Sequence, residues 1–291
     1  VRGTRGRGVT IAGPLYPLMA MRLQDLTAPA IETWAVHETQ TRPTPARLSW
    51  RLLRAFLTWC AEHPQYAAAV PAQNPAKTRR TREALGKAGV KQDALLREQL
   101  PAWFSAVRNI GNPTISAYLQ TLLLTGARPG EVLALRWEDI NTQWRGLTIR
   151  DKVEGERVIP LTPYVWHLLA ALPRRSEWVF SSARHEPSKA AKPIAKPHHA
   201  HATACKVAGI EGLTFHGLRR SFKSLTEWLE IPAGVVAQIQ GHKPSATAEK
   251  HYTVRPLDLL RLHHERIEAW ILEQATVEFA PDATRLRAIK N

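Results

Sequence analysis

From about Thr27 the chain reads as helical, and the pattern stops at Pro64 and the cluster Pro71-Ala72-Gln73-Asn74-Pro75. Proline has no amide donor and clashes inside a helix, so such a run closes one folding unit before another opens. The 291 residues are enough for two cores. The expected organisation is a small helical unit over 22–76 and a larger unit over 94–291. A basic linker, 77–93, joins them, and a flexible basic segment, 1–21, comes first.

Within the small unit, Thr27 and Thr44 suit helix N-caps, with Pro29 and Pro45 close behind where a first turn tolerates proline. Leu48, Leu52, Phe56 and Cys60 recur every four residues, and Leu53, Leu57 and Trp59 widen that apolar face. In the larger unit Pro101 starts a helix bearing Trp103, Phe104 and Val107. The stripe Ile115, Leu119, Leu122, Leu123 is closed by Gly126, and a new helix starts at Pro129. Leu147 and Ile149 alternate, Glu154-Gly155 offers a turn, and Val158 to Leu161 returns as the second strand of a hairpin. Helices follow near 164–171, 197–207, 217–229, 232–239 and 256–274, with Thr276 to Phe279 reading as a short strand. The fold class is mainly α with a small antiparallel β-sheet.

Forty Lys and Arg against 25 Asp and Glu leave a net charge of +15, which favours an anionic partner such as nucleic acid. Lys77, Arg79, Arg80 and Arg82 concentrate that charge in the linker, where they can follow a phosphate backbone or simply keep a connector solvated. Two distant cysteines, Cys60 and Cys205, do not make a disulfide framework and fit a reducing cytoplasm. No apolar run reaches membrane-spanning length. His198, His199, His201 and Cys205 match no paired zinc-ligand spacing, so no metal is expected. No phosphate-cradling glycine loop appears, and no cofactor is expected. The Gly-rich start, Val1 to Gly8, reads as a truncated end or the remnant of a further N-terminal module.

Six polar residues occur in the order Arg, Lys, His-x-x-Arg, His, Tyr. Arg128 lies in the turn Thr125-Gly126-Ala127-Arg128-Pro129-Gly130-Glu131, where Glu131 can hold a guanidinium whose fork suits two phosphate oxygens. Lys152 sits at the hairpin edge, either keeping that edge soluble or delivering a proton to a leaving oxygen. His216 and Arg219 share a helix capped by Thr214, with Leu218, Phe222, Leu225 and Leu229 as its buried stripe. Arg220, Lys223 and Lys243 are expected at the phosphate backbone of a nucleic acid. His242 lies in the turn Gly241-His242-Lys243-Pro244, ten residues before Tyr252. A tyrosine becomes a nucleophile only when positive charge or a base activates its phenol. Alone, each residue has an ordinary structural reading; the order is what points to metal-free covalent chemistry on a phosphodiester.

These blocks resemble the tyrosine recombinase (phage integrase) family, and the run Glu249-Lys250-His251-Tyr252 before Arg255-Pro256-Leu257 resembles its prophage and genomic-island branch. The resemblance covers most of the chain and implies a helical core-binding domain, a linker and a catalytic domain. It implies that Tyr252 attacks a DNA phosphate to give a 3′-phosphotyrosine, while Arg128, Arg219 and His242 stabilise the pentacoordinate phosphate. Lys152 would protonate the leaving oxygen and His216 assist proton transfer at the nucleophile. The implied function is integration or excision of a mobile element at double-stranded DNA attachment sites. Homo-oligomers on DNA, tetramers in particular, and accessory DNA-bending or excision factors are the implied partners. Two other readings stay open on the residues: a type IB topoisomerase-like relaxation of DNA, and a non-catalytic DNA-binding regulator. The spacing from His242 to Tyr252 is about one residue longer than in many family members.

Overall fold

The computed structural model describes residues 5–6, 9–151, 155–182, 191–242 and 255–280. The chain divides into two compact units, Val1–Lys91 and Gln92–Asn291.

The first unit is built on α1 (Ala28–Thr41), α2 (Pro43–Glu62) and α3 (Arg79–Leu85), preceded by a two-residue pairing of β1 (Arg5–Gly6) with β2 (Val9–Thr10). Its core gathers Leu18, Leu26, Ile31, Trp34, Leu53, Leu57 and Leu85. Three expectations need correction here. From residue 12 on, the N-terminal segment is packed onto the unit: the Trp34 indole donates to the Pro14 carbonyl (2.7 Å), Arg42 donates to that of Ala12 (2.6 Å), and Leu18 is buried. The linker is not linker throughout. Thr78 caps α3 by accepting from the Thr81 amide (3.1 Å), and fully buried Thr81 and Leu85 fasten that helix to the unit. Third, α2 buries Ala46, Ser49, Leu53, Leu57 and Cys60, leaving Leu48, Leu52, Phe56 and Trp59 exposed. Small Ala46 and Ser49 let neighbouring chain come close, so packing favours their face over the more apolar one beside it. The breaker cluster is tied down by Asn74, whose amide donates to the Arg54 carbonyl and the Thr58 hydroxyl, both at 2.9 Å.

In the second unit, α4 (Leu100–Arg108) leads to α5 (Pro113–Thr125), the central helix. Asn112 caps α5 by accepting from the Thr114 amide (3.0 Å), and the helix is buried on nearly every side, including Thr121 and Thr125. Gly126 ends it in the left-handed region (φ 60°). Next come α6 (Pro129–Leu133) and three antiparallel strands: β3 (Ile140–Asn141), β4 (Gly146–Asp151) and β5 (Gly155–Pro160), in that order across the sheet. The hairpin of β4 and β5 was expected; β3, two residues long, is too short to carry an alternating pattern. Register sets Leu147 opposite Ile159 and Ile149 opposite Arg157. The remaining helices are α7 (Pro163–Ala170), α8 (His198–Val207), α9 (Phe215–Thr226), α10 (Ala233–Gln240) and α11 (Leu257–Gln274). No helix among the described residues is long and apolar enough to cross a membrane.

After α11 the expected strand at Thr276 to Phe279 is absent. Val277 is buried instead, and the Phe279 ring meets Tyr164 edge-on at 5.0 Å, so side-chain burial rather than strand pairing orders this segment. Two buried polar residues fasten α11. His264 bonds the Leu124 carbonyl (2.8 Å), and Glu268 receives the Tyr164 and Val165 amides (2.8 and 3.1 Å) and the Thr162 hydroxyl at the start of α7. Burial pushes the Glu268 carboxyl up to about 7 against these lowering donors. An acid whose folded pKa lies above its ordinary 4.5 adds stability that is complete below that value and is lost as pH rises through about 7. The window corresponds to about 3 kcal/mol at 1.36 kcal/mol per unit. His264, pushed down to about 4 by burial, works in the opposite sense, so the comparison needed is wild type against Glu268→Gln. The melting temperature of wild type should fall relative to the variant between pH 5 and 7.5; parallel curves would contradict the assignment.

Candidate active site

The turn after α5 is shaped by its neighbours. A Cβ on Gly126 would lie 2.6 Å from the Phe222 ring and 2.9 Å from the Gln240 amide nitrogen, so only glycine fits its positive φ and this contact together. Two residues on, Arg128 occupies the N-cap position of α6. Its main-chain amide donates to Glu131 Oε2 (2.9 Å) and its guanidinium to Oε1 (2.7 Å), which fixes both the backbone and the fork. The buried Tyr118 hydroxyl donates to the Pro129 carbonyl (3.1 Å) and ties this turn to α5. Burial would raise the Glu131 carboxyl, but bonds from Arg157 and Arg128 outweigh it and hold it below the usual carboxylate range.

On α9, Thr214 caps the helix as its sequence predicts, accepting from the Gly217 amide (3.0 Å). Leu218, Phe222 and Leu225 are buried. His216 and Arg219 diverge: His216 is exposed, whereas Arg219 is buried. One nitrogen of Arg219 donates to the Gly126 and Gln240 carbonyls, both at 2.7 Å, while the other lies 2.7 Å from His242 Nε2. The Gln240 side chain answers by donating to the Arg219 carbonyl (2.8 Å). A guanidinium only donates, so Nε2 of His242 accepts and the ring proton sits on Nδ1. Burial, then Arg219, Lys223, Arg128 and Arg157, hold the His242 imidazolium below its ordinary range, favouring the neutral ring. His216, exposed at the surface yet partly desolvated by the groups around it, is likewise lowered, first by that desolvation and then by Arg220, Lys196 and Arg219, with Asp93 opposing.

Arg128 and Arg219 both act electrostatically on His242, so the three stand around one electropositive spot, with Glu131 bonded to Arg128. Lys152, Lys243 and Tyr252 lie outside the described residues. Lys77, Arg79, Arg80, Arg82 and Lys223 are exposed, although Arg79 also pairs with Glu83 (2.6 Å). Arg220, expected at a DNA backbone, is engaged within the protein by Asp93.

The structure adds residues that the sequence does not flag. Asp93, just past the boundary between the units, accepts from the Thr214 amide and hydroxyl (3.0 and 2.6 Å) and so doubles the cap of α9. Its main-chain oxygen would lie 2.3 Å from a Cβ on Gly217, which explains glycine between His216 and Leu218. Gly217→Ala should therefore cost about 1–3 kcal/mol by overpacking against backbone, read as a lowered urea midpoint. An unchanged midpoint would show that Asp93 yields freely. Gln240 and Arg157 complete the surroundings.

Residues 2–83 match the phage integrase core-binding domain, and residues 94–256 match the phage integrase family. The chain belongs to the phage integrase (tyrosine recombinase) family. Among its relatives, the prophage integrase IntF of Escherichia coli (strain K12) is 48% identical over 280 residues, covering 94% of this chain and 59% of that protein. The chain therefore spans about three fifths of that integrase's length. A lambda integrase dimer bound to a COC′ core site shares the fold with a TM-score of 0.61 at 18% identity, covering 81% of this chain and 84% of that one. The Tn1549 transposon integrase in complex with circular intermediate DNA does so with a TM-score of 0.57 at 14% identity, covering 85% and 87%. In this phage integrase chain the buried Arg219 and half-buried Arg128 therefore stand in the domain that defines the family.

Proposed function

We propose that the chain is a site-specific DNA recombinase that cuts and rejoins attachment-site DNA through a 3′-phosphotyrosine on Tyr252. The observation that carries this reading is the buried Arg219, held by two carbonyls and bonded to His242, beside Arg128 held by Glu131. Donors fixed before the reaction stabilise charge where it develops, which is commonly the largest catalytic contribution.

The Tyr252 phenolic oxygen attacks the scissile phosphorus, the bond from phosphorus to the 5′ oxygen breaks, and the phenolic proton passes to the base side served by His216. Arg128 and Arg219 each present N–H groups to the non-bridging oxygens, and His242 donates from Nδ1. Lys152 protonates the departing 5′ oxygen. The adduct keeps one phosphodiester-like bond in place of the one broken, so religation to a new 5′ hydroxyl needs no nucleotide cofactor. Lys77, Arg79, Arg80, Arg82, Lys223 and Lys243 serve as backbone contacts, with the first unit as the core-binding domain.

Similar folds include a lambda integrase dimer on a core site and a lambda integrase tetramer on a Holliday junction, which supports homo-oligomers on DNA. The chain acts on DNA in the bacterial cytoplasm, integrating or excising a mobile element with accessory DNA-bending or excision factors. The test is a nicked suicide substrate bearing the attachment site: the reading expects a covalent adduct that survives denaturant. DNA binding with no adduct on such a site would favour a non-catalytic regulator, and relaxation of supercoiled DNA without joining of two sites would favour a topoisomerase.

A further inference from the structure

We infer that Arg157, on β5, is a positioning residue that locks the Arg128 turn and the His242 turn to the hairpin. The inference rests on the proposed recombinase reading for its consequences in catalysis, although its geometry stands independently.

Arg157 is largely buried and makes three separate ties. Its two terminal nitrogens donate to the two oxygens of Glu131, at 3.3 and 2.8 Å, the same oxygens that receive the Arg128 side chain and amide. Its Nε donates to the carbonyl of Ile239, three residues before His242 (3.3 Å). Its guanidinium also lies against the α-carbon of Gly241, where a Cβ would come within 2.6 Å of it. Gly241 has φ 73°, so glycine there answers both a backbone and a packing demand.

The chemistry of this arrangement follows from the charges. One buried carboxylate between two guanidinium groups is fully paired, and removing either arginine leaves part of a buried charge unpaired. Without Arg157, Glu131 loses two of its four N–H donors and the Arg128 fork loses its fixed counterpart. The Gly241-His242 turn loses the group that lies against it. Arg157 lies on the strand that follows the hairpin turn and directly opposite Ile149 on β4, so sheet pairing holds the tie in place. Among the described residues, Arg157 reaches the site through the Arg128 and His242 turns. A planar fork that bonds two oxygens and a third carbonyl together has no equivalent in lysine.

The test compares wild type with Arg157→Gln and Arg157→Lys in two measurements. Single-turnover cleavage of a suicide substrate is read beside equilibrium DNA affinity. The titration of His242 is followed by NMR in DNA-free protein with ¹³C-labelled histidine, assigned by His242→Gln. Burial first, and then the cations Arg219, Lys223, Arg128 and Arg157, depress His242, so loss of one cation moves its midpoint to higher pH. The expected result for Arg157→Gln is cleavage slowed about 30- to 100-fold, the scale of a misplaced catalytic group, with affinity within about threefold and the His242 midpoint raised. Arg157→Lys should recover part of the rate. Cleavage at the wild-type rate would overturn the inference, as would a rate loss matched by lost affinity with an unmoved His242. If wild type itself forms no adduct, the recombinase reading fails separately, and an unmoved midpoint in Arg157→Gln still overturns this one.

Discussion

An Arg219→Ala variant is expected to bind attachment-site DNA and to cleave it about 10²- to 10³-fold more slowly than wild type, the usual loss for one preorganised donor to a developing negative charge. The geometry adds a stability cost. Arg219 satisfies the buried carbonyls of Gly126 and Gln240, and each unsatisfied buried acceptor costs about 1–3 kcal/mol. Activity should therefore be measured well below the variant's melting temperature. Arg219→Lys keeps the charge but cannot reach two carbonyls and the His242 nitrogen from one planar group, so it should recover little of the rate. Cleavage within tenfold of wild type in the alanine variant would remove Arg219 from the centre of the site.

Tyr252→Phe should have the larger effect. Charge stabilisation cannot replace a nucleophile, so the adduct should be undetectable, a loss of at least ~10⁴-fold by analogy with other nucleophile deletions. Phenylalanine keeps the ring and removes one oxygen, so DNA affinity should stay within about twofold. Together the two variants separate charge stabilisation from bond formation: one slows the reaction and the other ends it. Residual adduct in Tyr252→Phe at a rate comparable to Arg219→Ala would mean that another residue makes the bond.

Much of the local structure is legible in the sequence because it depends on short-range stereochemistry. Pro101, Pro113 and Pro129 stand in the first turns of α4, α5 and α6, Thr214 caps α9, and Gly126 ends α5 in the left-handed region. The motif residues Arg128, Glu131, Arg219 and His242 do come together, although no spacing rule says that Arg219 points inward while His216 stays exposed. Choices set by packing are not legible. The stripe Leu48, Leu52, Phe56 looks like a core face, yet α2 turns Ala46, Ser49 and Leu53 inward, because close approach at small residues outweighs the apolar area of the neighbouring stripe. The helix Arg79–Leu85 hides in a basic stretch because only Thr81 and Leu85 are buried. Asp93 and Arg157 lie 121 and 26 residues from the groups they bond, Thr214 and Glu131, and no local pattern encodes such a pairing.

The proposed chemistry turns on a bond between Tyr252 and DNA. The most direct measurement traps the adduct of wild-type protein on a suicide substrate, trims the DNA with nuclease, digests the protein, and sequences the nucleotide-bearing peptide by tandem mass spectrometry. A 3′-linked nucleotide phosphate on Tyr252 is expected, in the peptide that contains His251-Tyr252-Thr253. A nucleotide on any other residue, or a 5′ linkage, would contradict it.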